Sequence, residues 1–331
     1  MSVEIKTTNI EPLRQTFDHI EVRIGKGKAA TRYQEAVHDF QATQNFHYRP
    51  TWDPAFDLFD IRRTRIRLDD FDQLIDPRQY YYAPYTLQRA RQQEAQDNNF
   101  GLIEKRKLFE AITPEWQDRI EHLVLPLRHA EWGANTNNCY ISAYGYGAPF
   151  TSAALMQAMD RLGIAQYLTR IALALEGGQQ MLDRIKVAWL DHPDWQPMRH
   201  LMEDAMVTKD WFELHLIQNF LLDGAVFPFA YVHVDQLISA QAGIGYGLAT
   251  EFMRDWYAES IRWTDAALKV VVKFSDENRA LLNSWVMAWE PRVREALAPL
   301  ANAAFGANAA AITEAIFAEL SARRVKLGLA E

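Results

Sequence analysis

Glutamate and histidine side chains at helical spacing could hold a pair of metal ions inside a helical bundle. Dimetal carboxylate proteins take one Glu from each of two helices and a Glu-x-x-His pair from each of the other two. Residues three positions apart lie on one face of a helix, so both members of such a pair can reach one ion. Carboxylate and imidazole ligands suit iron that activates oxygen. The nine histidines of this 331-residue sequence are therefore the first residues to test.

The required pairs are missing. Of the nine histidines only His38 has a glutamate, Glu35, three positions before it. That pair lies in an irregular part of the sequence without a second copy to face it, so a surface helical turn is the simpler interpretation. Two further pairs are only two residues apart and diverge by about 200° around a helix: Glu213 with His215, and His129 with Glu131.

Other catalytic motifs are also missing. The sequence has no zinc-type His-Glu-x-x-His, no phosphate-binding P-loop and no Gly-x-Ser-x-Gly nucleophile turn. The glycines at 243, 245 and 247 have the wrong spacing for a dinucleotide-binding turn and follow no predicted strand. We therefore predict no catalytic, cofactor-binding or metal-binding residue in this chain.

Charge and composition exclude several partner classes. The formal net charge is −8, which does not favour binding to a phosphate backbone. Cys139 is the only cysteine, so neither an internal disulfide nor a thiolate cluster can form within the chain. The N-terminus lacks a signal-peptide pattern and no apolar run is long enough to span a membrane. We expect a cytoplasmic protein that binds neither nucleic acid nor membrane.

Residues 1–95 differ in texture from the rest of the chain. Five prolines interrupt this region, and the alternating stretch 63–68 suits a short extended segment or strand. We interpret residues 1–95 as an extended, mostly irregular arm that lies partly on its own helical body, residues 96–331, and partly on another subunit. Aromatic residues in the arm are candidates for that subunit contact: Trp52, Tyr80, Tyr81 and Tyr82.

From about Tyr85 onward the pattern predicts helix after helix, and the fold class is all-α. An apolar stripe runs from Leu155 to Leu175, with Pro149 near the start of its helix and Gly177 at its end. We predict four further helical regions: 197–222, 226–273 with a kink at the glycines 243–247, 276–298 and 308–325.

Two segments resemble a known family. Residues 69–78, continuing to Glu94, resemble the Asp-Pro-Arg and tyrosine segment of β subunits from bacterial multicomponent diiron monooxygenases. Residues 210–224 resemble the matching helix of the phenol hydroxylase branch. The resemblance implies a large ferritin-like helical bundle. It also implies that the metal ligands, carried by two Asp-Glu-x-Arg-His motifs in the α subunit, are replaced here by a vestigial set: Arg161 with Ile164, and Phe252 with Asp255.

The same resemblance implies a hetero-oligomer. In this family α, β and γ subunits form a trimer that is doubled, the diiron centre lies in α, and β has a structural role. A regulatory protein and a reductase with FAD and a 2Fe-2S cluster complete an NADH- and O2-dependent hydroxylation of phenol or related aromatics. Three alternatives stay open at this point: a toluene-type β subunit, an autonomous ferritin-like metalloenzyme, and a helical adaptor unrelated to oxygenases.

Overall fold

The computed structural model describes residues 18–43, 49–51, 53–175 and 177–330, and every regular element within them is helical. The predicted all-α class is thus confirmed. The α-helices in chain order are α1 (Asp18–Ile24), α2 (Arg32–Val37), α3 (Tyr82–Arg106), α4 (Pro114–Leu123), α5 (Leu127–Tyr144), α6 (Ala148–Ala174), α7 (Gly178–Asp191), α8 (Gln196–Met206), α9 (Trp211–His215), α10 (Asp223–Pro228), α11 (Val234–Ala242), α12 (Gly245–Ala249), α13 (Glu251–Phe274), α14 (Asp276–Phe305) and α15 (Ala309–Leu327).

The described part of the arm has little regular structure before α3. Besides α1 and α2 it contains single 3-10 turns at Ile61–Arg63 and Phe71–Gln73. Stretch 63–68 is irregular after its first residue and is bonded to side chains of the body. The Arg65 amide donates to Asp210 Oδ2 (2.7 Å), and Arg67 exchanges backbone hydrogen bonds with the Asn278 side chain (3.0 and 2.7 Å). Helix α3 crosses the boundary expected at residue 95, and the change to helical backbone lies at Tyr82 instead.

Helices α5 and α6 form an antiparallel pair joined by a tight turn. In that turn Gly147 has φ +95°, and a side chain there would meet the Phe71 carbonyl oxygen at 2.7 Å. Helix α6 ends before Gly177, as predicted. The predicted stripe is buried only in its second half, since Leu155, at 48% exposure, lies on the outer face. At that level of the helix the inward face carries Ala158, Arg161 and Ile164.

A long rod follows α8, and its residues from Trp211 to Tyr231 are almost all buried. It runs from Trp211 to Ala242 as three α-helical pieces separated by π-helical turns at Leu216–Leu222 and Phe229–His233. The single helix predicted for 197–222 is wrong. Residues 207–210 break it, and the Asp210 side chain caps the new start by accepting from the amides of Phe212 and Glu213 (3.1 and 3.2 Å).

The last third of the chain matches the prediction more closely. The expected kink appears where Gly243, with φ +84°, ends α11 and the short α12 precedes α13. Helix α14 contains two internal prolines, Pro291 and Pro299, and extends to Phe305, beyond its predicted end at 298. Helices α5, α6 and α13 and the rod enclose the interior considered next. Within the described residues, no helix combines the length and the apolar character that crossing a membrane requires.

Candidate functional site

A charged side chain lies at the centre of the bundle. Arg161 is completely buried, and its two terminal nitrogens bind two carboxylates. Nη1 donates to Glu131 Oε2 at 3.2 Å, and Nη2 forms a close ion pair with Asp223 Oδ2. The guanidinium carbon lies 4.4 Å from the centre of the Trp256 ring and 5.5 Å from that of Phe227. Arg161, Glu131, Asp223 and Trp256 are called the Arg161 centre below.

Each member of the Arg161 centre comes from a different helix. Glu131 lies in the first half of α5, Arg161 in the middle of α6, Asp223 at the start of α10 in the rod, and Trp256 in α13. Four helices therefore direct one side chain each to a common interior point. Planar guanidinium groups suit such a place, because they can donate to two carboxylates at once while stacking on an aromatic ring.

Uncharged polar residues extend the Arg161 centre along α5 and the rod. Gln218 donates to Asp223 Oδ1 at 3.1 Å and accepts from Asn137 at 2.9 Å. At the next residue of each helix, Asn138 and Asn219 exchange side-chain hydrogen bonds at 3.3 and 3.0 Å. All four amides are buried, so each bond replaces one that water would otherwise make. This ladder fixes the register of the rod against α5.

Burial dominates the protonation of the Arg161 centre. It raises the pKa of Glu131 to about 7 and also raises the pKa of Asp223, although the positive charge of Arg161 opposes both shifts. Burial opposes the charge of Arg161 too, but the carboxylates of Asp223 and Glu131 outweigh it and raise its pKa. One cation faces two acids, so a net negative charge remains when both are ionised. Protonation of Glu131 makes the centre neutral.

Two metal ions do not fit this interior. The guanidinium of Arg161 lies between the carboxylates of Glu131 and Asp223, where a cation would have to bind. Three positions after Arg161, the completely buried Ile164 offers no ligand atom. Three positions after Trp256 lies Glu259, whose carboxylate is paired with Arg89 at 2.9 Å. The donor set thus lacks the two Glu-x-x-His pairs that carboxylate-bridged dimetal sites use.

Of the four predicted vestigial positions, three are buried and one is exposed. Arg161 and Ile164 are both completely buried in the bundle interior. Phe252 is also buried but packs on Tyr167, with ring centres 5.0 Å apart, one turn away from the Arg161 centre. Asp255 lies on the exposed face of α13, so its expected inward placement is wrong. Trp256 occupies the interior position instead.

A second ionic network joins the arm to the bundle beside the Arg161 centre. Arg89 on α3 binds Asp160 (2.7 Å) and Glu259 (2.9 Å), and Asp160 also accepts hydrogen bonds from Tyr85 (2.8 Å) and the Trp256 ring nitrogen (2.9 Å). Arg78 of the arm reaches Glu259 at 3.6 Å. The sequence singled out the segment around Arg78 only by resemblance. Its link to α6 and α13 was missed, because pairs so distant in sequence leave no local pattern.

The predicted interface aromatics fall into different environments. Tyr80 is buried against its own chain beside Tyr85 and Arg78, which corrects its assignment to a partner contact. Tyr81 is partly buried, whereas Tyr82 is 80% exposed at the start of α3. Trp52 lies outside the described residues.

The two weak Glu and His candidates behave as side chains of the fold. His38 is buried with Nδ1 3.8 Å from Asp72, and Glu35 lies only partly buried on α2. His215 is fully buried, and burial lowers its pKa to about 3, so its ring is neutral. Glu213 points the other way, where it accepts from Trp289 (2.9 Å) and pairs with Arg65 (3.0 Å). The expected divergence of Glu213 and His215 is therefore confirmed.

Comparisons with known proteins agree with this architecture. Residues 52–274 match the family model described as methane/phenol/alkene hydroxylase. The chain is 47% identical to the phenol 2-monooxygenase oxygenase component DmpL of Pseudomonas sp. (strain CF600), covering 99% of this chain and 98% of that one. It is 42% identical to the corresponding component MhpL of Acinetobacter pittii (strain PHEA-2), with the same coverage.

A solved structure extends the likeness to three dimensions. A chain of xenon-pressurized phenol hydroxylase from Pseudomonas sp. OX1 superposes with a TM-score of 0.92 and 46% identity over 99% of both chains. Identity to the β subunit of the toluene-4-monooxygenase hydroxylase of Ectopseudomonas mendocina is lower, 21% over 68% of this chain and 70% of that one. The alternative of an adaptor unrelated to oxygenases is therefore wrong. This chain belongs to the methane/phenol/alkene hydroxylase family.

Proposed function

We propose that this chain is the non-catalytic β subunit of a phenol hydroxylase-type diiron monooxygenase. Its role is to hold a catalytic α subunit in an active assembly while carrying no metal itself. The observation that carries the proposal is the Arg161 centre, in which a side-chain cation takes the place that metal ions would need between the four helices. Similarity over nearly the whole chain to phenol 2-monooxygenase components supports the proposed assembly and substrate class.

The proposed system follows from the family. An α subunit carries the diiron centre, and α, β and γ subunits form a trimer that is doubled. A regulatory protein and a reductase with FAD and a 2Fe-2S cluster complete it, and the reaction consumes NADH and O2 in the cytoplasm. The toluene-type alternative is weaker, because identity to the toluene-4-monooxygenase β subunit is 21% against 47% for the phenol 2-monooxygenase component.

The residues of this chain then act by stabilising the scaffold. Arg161 ties together α5, α6 and the rod through two ion pairs and stacks on Trp256 of α13. Glu259 ties α13 to the arm through Arg78 and Arg89. We propose that Trp256 and Glu259, three positions apart, are the second vestigial ligand pair in place of Phe252 and Asp255. That register puts both members beside the buried networks.

Co-purification tests the proposed role. The chain is expressed with a tagged α subunit bearing two Asp-Glu-x-Arg-His motifs and with the γ subunit, and the assembly is isolated through the tag. We expect stoichiometric recovery of this chain, with two irons for each α and none retained by this chain when it is purified alone. Two irons bound by the isolated chain would favour the autonomous metalloenzyme, and failure to associate with α would overturn the subunit assignment.

A matched pair of variants tests the arm as part of the contact. Tyr82→Asp places a charge on an exposed aromatic position, whereas Tyr80→Phe changes a residue buried within the chain. We expect Tyr82→Asp to weaken the assembly in analytical ultracentrifugation and Tyr80→Phe to leave it unchanged. Equal association of both variants would remove Tyr82 from the interface.

A further inference from the structure

A second group of ligating side chains lies away from the bundle interior. His122 is near the end of α4, His192 follows α7, and Asp194 lies in the 3-10 turn Pro193–Trp195. Among the described residues these three form a group whose donor atoms all lie within 4.8 Å of one another. They are called the His122 cluster below. The proposed function makes no use of it.

The distances suit a single ion. His122 Nε2 lies 2.9 Å from Asp194 Oδ2, and His192 Nδ1 lies 3.9 Å from the same oxygen. Zinc–ligand bonds of about 2.0–2.2 Å in a tetrahedron place neighbouring donor atoms about 3.4 Å apart. The two observed distances lie on either side of that value. All three donor atoms lie within 4.8 Å of one another, so their spacing is close to that around a common ion.

The backbone beneath the His122 cluster is firmly held. Trp195 is completely buried, and its ring nitrogen donates to the His122 carbonyl oxygen at 2.8 Å. Gln196 donates to the His192 carbonyl at 3.2 Å. These bonds fix α4 against the segment between α7 and α8. The donors are therefore preorganised, and their ordering requires no movement of a helix.

We propose that His122, His192 and Asp194 bind one divalent transition-metal ion of the zinc class. Two imidazoles and one carboxylate favour zinc, or cobalt as its spectroscopic substitute, over magnesium and calcium, which prefer oxygen ligands. The side chains are 27–43% exposed, which leaves a coordination position open to water. Ligation through His192 Nδ1 replaces the hydrogen bond that this atom accepts from the Asp194 amide (3.2 Å). Bound metal links α4 to the α7–α8 connection.

Titration of the full chain tests the proposal. The purified chain is stripped with EDTA, desalted, and titrated calorimetrically with zinc chloride. Cobalt absorption reports the coordination geometry. We expect one zinc per chain and a rise in the melting temperature. His122→Ala and Asp194→Asn should each weaken binding by at least about tenfold, because loss of even a hydrogen-bond partner of a ligand typically costs about that much. The side chain of His192 is the most exposed of the three, so His192→Ala supplies a further variant if another fails to fold.

Two controls separate this site from adventitious binding. His200→Ala removes a nearby exposed histidine outside the cluster, and Cys139→Ser removes the exposed thiol. Both should bind zinc within about twofold of the unchanged chain, well inside the tenfold effect of removing a ligand. The proposal is wrong if the chain shows no saturable zinc binding, if His122→Ala and His192→Ala bind normally, or if binding is lost in Cys139→Ser.

Discussion

The Arg161 centre and the His122 cluster both gather ligating or charged side chains from separate segments, yet only the first contains its own cation. The Arg161 centre is closed, with the guanidinium and both carboxylates almost without solvent exposure. The His122 cluster is partly exposed and offers donors without a fixed positive charge. A buried acid pair needs a permanent cation, because unpaired ions are costly away from water. At the surface, water can hydrogen-bond to the side chains of the His122 cluster, so they need no fixed cation.

Removing the cation from the Arg161 centre should have the largest effect. Arg161→Met keeps most of the side-chain volume but leaves Glu131 and Asp223 buried and unpaired. We expect the free energy of unfolding to fall by about 3–5 kcal/mol, the usual cost of breaking a buried ion pair from one side. Urea denaturation of the isolated chain, followed by circular dichroism, measures it.

Two further variants identify the cause of that loss. Arg161→Lys keeps the charge, so it should lose less stability than Arg161→Met. The triple variant Arg161→Met, Glu131→Gln, Asp223→Asn removes all three charges and should recover much of the stability, because uncharged replacements avoid the desolvation cost. If the triple variant is less stable than Arg161→Met, the unpaired charges are not the reason for the loss.

Protonation of Glu131 should make the stability depend on pH. Its pKa is raised by burial from 4.5 to about 7 in the folded chain, so the folded state binds the proton more tightly than the unfolded state. This group therefore stabilises the fold at low pH, and that contribution is lost as the pH rises from about 4.5 to about 7. The expected size is on the order of 3 kcal/mol, since each pKa unit corresponds to about 1.4 kcal/mol.

Glu131→Gln is the matched variant, because glutamine resembles the protonated acid in shape and does not titrate. The difference in unfolding free energy between the unchanged chain and Glu131→Gln should change steadily between pH 4.5 and pH 7 and level off above it. Parallel stability curves for the two chains over this range would mean that Glu131 has the same pKa in the folded and unfolded states, which contradicts the prediction.

The sequence predicted the ends of some helices better than it predicted which of their faces are buried. Helix α6 was located well, because Pro149 and Gly177 lie at its ends and an apolar stripe connects them. The break before Trp211 was missed, because the residues that follow are buried on every side of the helix and show no periodicity that would mark its start. The stripe itself misled at Leu155, which is exposed because α6 directs Ala158 and Arg161 inward at that level.

The Arg161 centre could be predicted only in part. Arg161 itself was found by resemblance, but its partner Asp223 is 62 positions away, and no local pattern links them. The register proposed above for α13 differs by one turn from the one that the sequence predicted, because Phe252 and Trp256 are four residues apart and share the buried face. A periodic pattern fixes which face is buried and leaves the level along the helix open. Only packing against Arg161 and Asp160 selects Trp256.

Opening the Arg161 centre should make it resemble the His122 cluster. Arg161→Ala leaves two carboxylates beside a space that water and a divalent ion can enter, and manganese accepts oxygen ligands readily. We expect manganese in large excess to restore about 1–2 kcal/mol of the lost stability by binding only the folded state. Every chain in this comparison also carries His122→Ala, which removes a ligand from the His122 cluster, and the chain that keeps Arg161 should not respond. A double variant, Arg161→Ala with Asp223→Asn, lacks one ligand, so an equal response there would place the manganese elsewhere.

The smallest effect is expected at the metal-free His122 cluster. In EDTA, His122→Ala removes the 2.9 Å contact with Asp194, a partly exposed pair of the kind that contributes about 0.2–1 kcal/mol. The backbone bond from Trp195 to the His122 carbonyl remains, so α4 keeps its place. Urea denaturation should therefore separate this variant from Arg161→Met by several-fold in the free energy lost. A loss as large as that of Arg161→Met would show that His122 is a structural residue of the core and that exposure does not distinguish the two regions.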